Sequence, residues 1–130
     1  MKLQRVVLLT GLGLAAAALA QETSNYDGKW RGMFNSRNGK SRQAELVVTG
    51  QGGSWTYARE NGKWDDACMG PQFPVSVVSR SATELKLRID GEKVLKGCGE
   101  RGVTLKPSSD GASIAGTFDD NGHEVKFTRR

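Results

Sequence analysis

The sequence has one histidine, two cysteines and three prolines in 130 residues, and each scarcity removes a class of function. With His123 as the lone imidazole, a multi-histidine metal centre cannot be assembled, and a nucleophile would have a single candidate histidine base. His123 follows a D-D-N-G turn signal at a strand start, the setting of a solvated turn residue. Asp65 and Asp66 are adjacent, so on a strand they point to opposite faces and form no carboxylate pair. The oxygen-rich D-D-N-G-H-E at 119–124 lacks the spacing and terminal Glu of a calcium loop. The expectation is a protein without metal or cofactor that is not an enzyme, with an unspecified hydrolase as the distant alternative.

Runs of charge are also missing. No Lys/Arg run exceeds Arg129-Arg130, and basic and acidic residues are interspersed, which describes a solvated surface and not a nucleic-acid stripe. Long apolar runs are confined to the first twenty residues. There, Lys2 and Arg5 precede V-V-L-L-T-G-L-G-L-A-A-A-A-L, and A-L-A stands before Gln21. This order of charge, apolar core and small-residue site reads as a cleaved export signal over 1–20. The apolar run falls short of the roughly 20 residues of a membrane span, so no stable insertion is expected once it is removed. A single domain over 21–130 is then expected in the periplasm or outside a bacterial cell. Removal of Lys2 and Arg5 takes the 19 basic residues to 17 against 14 acidic ones, a net charge of +3.

Cys68 and Cys98 both lie in the remaining chain. In an oxidising compartment one disulfide is their simplest use; two free thiols or half a metal site are the alternatives. Closing a loop of about 30 residues is worth roughly 3–4 kcal/mol on the chain-entropy view.

What is abundant is glycine, 17 residues, much of it in turn dipeptides. Asn-Gly or Asp-Gly occurs at 38–39, 61–62, 90–91, 110–111 and 121–122, at near-regular intervals suited to tight hairpins. Between them run short segments of alternating polarity, such as R-Q-A-E-L-V-V-T, in which Ala44, Leu46 and Val48 share a face. Eight or nine short antiparallel strands must hide their edges. A closed up-and-down β-barrel does so best, with a two-sheet sandwich as the competing solution. The first segment, G-K-W-R-G-M-F at 28–34, alternates Trp30, Gly32 and Phe34 on one face, and S-I-A-G-T-F repeats this with Ile114, Gly116 and Phe118. Such large–small alternation fits a narrow barrel interior.

Gly28-x-Trp30 at the start of the first strand, with Arg129 at the end of the last, resembles the calycin pattern of lipocalins and avidins. The resemblance implies that Trp30 closes one barrel end and that Arg129 packs over its ring, a structural role. The C-x-G-x…P-V-x-V and L-x-G-C pattern around Cys68 and Cys98 is similar to small exported proteins of Proteobacteria with no characterised activity.

The remaining constellation is aromatic. Trp55 and Tyr57 share a strand face, Trp64 follows the next turn, and Phe73 flanks a proline segment. Rings near one mouth of a small barrel can line a site for an apolar ligand, with Arg59, Lys63 or Arg80 as rim cations. An exported binding module for a small apolar molecule is therefore expected, with Trp55, Tyr57 and Trp64 as candidate ligand residues. The alternative is a protein-interaction module, such as a periplasmic hydrolase inhibitor, in which these rings form an exposed patch.

Overall fold

A computed structural model describes residues 26–35, 41–58 and 67–130. They form eight strands: β1 (Gly28–Asn35), β2 (Ser41–Thr49), β3 (Gly52–Tyr57), β4 (Gln72–Arg80), β5 (Leu85–Asp90), β6 (Glu100–Pro107), β7 (Ser113–Phe118) and β8 (Glu124–Arg129). Each strand pairs antiparallel with the next, and β8 returns to pair with β1. The β1–β8 ladder decides between barrel and sandwich: the sheet is closed and has no free edge.

Burial follows the two-residue period. Strand β1 buries Trp30, Gly32 and Phe34; β5 buries Leu85, Leu87 and Ile89; β8 buries Val125 and Phe127. Gly32 sits opposite Phe127, whose ring and the Lys126 carbonyl occupy the space a Cβ would need. Gly116 likewise lies against the Thr104 carbonyl of β6. The large–small alternation therefore lets neighbouring strands and rings approach where a side chain would hold them apart.

The turns at 110–111 and 121–122 use glycine as expected, with φ of 72° at Gly111 and 71° at Gly122. Asp90-Gly91 does not form a tight hairpin. Gly91 is buried and opens a short 3-10 turn (Gly91–Lys93) within the longer connection to β6. Two competing contacts explain the difference. The Asp90 carboxylate is drawn to Ser76 Oγ (2.9 Å) and Arg88 Nε (2.8 Å), and so does not shape the turn. Glu92 accepts the backbone N–H groups of Gly97 (3.0 Å) and Gly99 (2.9 Å), which curls the loop around its side chain. The dipeptides at 38–39 and 61–62 lie outside the described residues.

The up-and-down order gathers both termini of the barrel and the β2–β3, β4–β5 and β6–β7 turns at one end. The other end carries the remaining four connections. There the Cys68–Cys98 disulfide, with Cα atoms 5.6 Å apart, ties the segment before β4 to the loop before β6. Met69 and Leu95 pack beside it against the core.

Candidate functional site

The two barrel ends differ in kind. At the first, Trp30 is buried and its indole N–H donates to the Tyr26 carbonyl at 2.9 Å. The Arg129 guanidinium lies 4.3 Å from the Trp30 ring centroid and donates to the carbonyls of Asp27 (3.1 Å) and Gly111 (3.2 Å). Arg80 donates to Asp27 Oδ1 (3.2 Å) and the Gly50 carbonyl (2.6 Å), while Tyr26 Oη donates to the Ser81 carbonyl (2.7 Å). Gly28 holds a φ of 136° beside Arg129. Two arginines and one tyrosine thus stitch together the chain's entry, three turns and the last strand. Arg80 belongs to this seam and not to a ligand rim. Cation–π attraction at Trp30 adds about 0.5–2 kcal/mol.

The middle of the barrel is filled. Trp55 is fully buried and meets Tyr57, Phe118 and Phe127 edge-on, at centroid distances of 5.7, 5.8 and 5.2 Å. Strand β3 neighbours neither β7 nor β8, so the contacts with Phe118 and Phe127 cross the lumen. The Trp55 indole N–H has no acceptor among the described residues. A buried donor left unmet costs about 1–3 kcal/mol, so this position favours any acceptor that reaches it.

Toward the second end, buried rings and two arginines come together. Phe34 packs edge-on against Tyr57 (5.5 Å) and Phe118 (5.6 Å), and Tyr57 against Phe73 (6.3 Å). Arg101 shares the inward parity of Val103 and Leu105, and its guanidinium lies 3.7 Å from the Phe118 ring centroid. It donates Nε and Nη2 to the two oxygens of Asp120, both at 3.1 Å, and Nη1 reaches the Tyr57 hydroxyl at 3.4 Å. The arginine holds the Asp120 carboxyl below its usual range. Arg42 is a second inward arginine, buried, in register with Phe34. On the rim, His123 Nδ1 lies 3.0 Å from the Asn35 carbonyl, which can only accept, so Nδ1 carries the proton.

Of the three expected ligand residues, the fold brings Trp55 and Tyr57 together, Trp55 in the core and Tyr57 toward the second end. Trp64 lies outside the described residues, as do Arg59 and Lys63. Arg42 and Arg101 were not singled out from sequence. The signal was parity: Arg42 continues the Val48, Leu46, Ala44 face and Arg101 the Leu105, Val103 face. Among the described residues no cluster of histidine, cysteine and carboxylate side chains is placed to hold a metal. A shallow groove of about 310 Å³ runs past Val78, Lys86, Glu100 and Arg101, and Asp119 there is already engaged by the Thr104 hydroxyl at 2.8 Å.

No family model matches the chain, and no curated protein matches it either. Among solved structures, a redesigned β-barrel is similar, with a TM-score of 0.52 and 15% sequence identity over 84% of this chain and 95% of that one. At that identity the likeness concerns the eight-stranded barrel fold.

Proposed function

We propose that this protein is an exported, disulfide-closed barrel of calycin-like outline that binds a small, largely apolar molecule at its mouth. The observation that carries the reading is the contrast between the ends. One is sealed by Trp30, Arg129, Arg80 and Tyr26. The other gathers the rings of Phe34, Tyr57 and Phe118 near a buried indole N–H that has no acceptor among the described residues. Because rings bridge the lumen, the ligand sits shallowly and binds weakly; a filled interior leaves no room for a deep one. Export rests on the residue order of the first twenty positions, and the disulfide and the lack of a long apolar helix among the described residues agree with it.

The test is titration of the mature protein with the neutral fluorophore N-phenyl-1-naphthylamine. Enhanced emission is expected, lost in Tyr57→Ala while the far-ultraviolet circular dichroism is kept. Absence of enhancement in the native protein overturns the reading and favours a protein partner.

A further inference from the structure

We propose that the outer wall over β6, β7, β8 and β1 is an adsorption face for a bilayer with anionic headgroups, held there by Lys29, Lys106 and Lys126. The inference is independent of what the barrel itself binds. It begins from register. Three consecutive rows of outward residues cross this wall. The first carries Lys106, Lys126 and Met33, joined across β7 through Ala115. The second carries Arg31 opposite Glu45 of β2. The third carries Lys29, whose carbonyl accepts the backbone N–H of Arg130 at 3.0 Å. These rows hold five cations and one carboxylate, and Glu124 begins the next row. The chain left after removal of residues 1–20 has a net charge of +3, so a local surplus of four leaves the rest slightly acidic on balance.

Sequence order hides this face. The five cations are scattered from position 29 to position 130. The two-residue period turns them outward, and closure of β8 onto β1 brings them side by side. The wall made by β3 and β4 is the contrast. Its outward residues Ser54, Thr56, Gln72 and Pro74 are uncharged.

The cations are of two kinds. Arg31 (3.5 Å) and Arg130 (2.7 Å) both turn to Glu45 Oε1. Among the described residues no carboxylate pairs with Lys29, Lys106 or Lys126, and all three are exposed. Like charges gathered on one wall repel, and a plane of anions relieves that repulsion. Lysine is a compact, hydrated point charge, suited to a diffuse array of headgroups more than to a shaped two-point grip. Met33, 44% exposed in the row of Lys126, adds an apolar side chain that can rest among headgroups. The closed ring has no edge for a peptide strand to extend, which favours a lipid surface over a peptide.

The experiment is co-sedimentation of the mature protein with vesicles of phosphatidylcholine alone, or of equal parts phosphatidylcholine and phosphatidylglycerol. Binding is expected to the mixed vesicles only. It should fall away as salt rises from about 0.1 to about 1 M, which shortens the Debye length from about 10 to about 3 Å. Each lysine near an anionic surface is worth about fivefold in partition, so Lys106→Gln with Lys126→Gln should cost about 25-fold, and added Lys29→Gln about fivefold more. The control pair Lys93→Gln and Lys96→Gln removes equal charge from the loop before β6 and should cost less than about fivefold. Lipids with a nitroxide on the headgroup test the native chain without any variant. They should broaden the amide resonances of Met33 and Lys126 and spare those of Ser54 and Thr56. Equal binding to both vesicle types, or to neither, overturns the inference. So do equal losses in the two pairs, or broadening that includes Ser54 and Thr56. Binding to heparin without binding to the mixed vesicles makes the wall a site for a soluble polyanion and overturns adsorption to a bilayer.

Discussion

Two buried tryptophans of this barrel differ in what their indole N–H groups meet. Trp30 donates to the Tyr26 carbonyl, and Trp55 meets no acceptor among the described residues. Replacing each by phenylalanine removes the same atoms. At position 30 this breaks a hydrogen bond and strands a carbonyl; at position 55 it removes an unmet donor. Trp30→Phe should cost about 2 kcal/mol more than Trp55→Phe in urea unfolding. Equal costs would mean that an ordered water satisfies Trp55. Full truncation, Trp30→Ala, should cost about 3–5 kcal/mol. Its coupling to Arg129→Ala in a double-mutant cycle should be about 0.5–2 kcal/mol, the worth of the stacked guanidinium. Strict additivity would show that the arginine acts through its carbonyl contacts alone.

Strands and connections respond to other forces. Gly116→Ala pushes a methyl into the Thr104 backbone, so β6 and β7 must part, at about 3 kcal/mol. Gly111→Ala meets open space and suffers only from its positive φ, at about 1–2 kcal/mol. Thermal or urea unfolding should rank the two in that order. The Cys68→Ala, Cys98→Ala pair should lose about 3–4 kcal/mol, and thiol labelling of the denatured, unreduced protein should find no free thiol.

Asp90 gives the β5 connection a pH signature. Burial raises its pKa, but the bonds from Ser76 and Arg88 and the charges of Arg88 and Lys93 outweigh burial and lower it. A carboxyl with a lowered folded pKa binds protons more readily when unfolded. Its contribution is therefore complete above the unfolded value, near 3.9, and is lost as pH falls through the folded one. Urea midpoints at pH 7 and pH 2.5 should differ less in Asp90→Asn than in the native protein.

These elements also show which features a sequence reveals. Strand positions and the glycine turns at 111 and 122 are written locally, in a two-residue period and in dipeptides that favour positive φ. The Asp90-Gly91 connection has the same dipeptide and a different fate. Its carboxylate is captured by Ser76 on the neighbouring strand β4, and no local pattern encodes that. Arg42 and Arg101 escaped for a related reason. Their parity is local, but Arg101 meets the Tyr57 hydroxyl across the lumen, and strand order is needed to see that contact. The aromatic pair Trp55 and Tyr57 was legible as a pair, and core filling was an open reading of both rings; which partners across the lumen they meet was not legible.

For the molecule as a whole, the asymmetry of its ends predicts unequal motion. Backbone amides around Tyr26–Trp30 and in the adjoining part of β8 should exchange hydrogen more slowly than those flanking the second end, because the seam of Arg80 and Arg129 must open with them. Exchange measured by mass spectrometry on proteolytic fragments would check this, and uniform protection would contradict a specially sealed end.

The ladder between β1 and β8 joins strands that begin and end the described fold, with Trp30 in register with Arg129. Synthesis therefore delivers the two halves of one seam at opposite times, and every intermediate length of chain still has two unpaired edges. Refolding is correspondingly dominated by distant pairings and belongs to the slow, millisecond-to-second class. Until β8 has been made nothing can shut the barrel, and the ring completes itself only with its last strand.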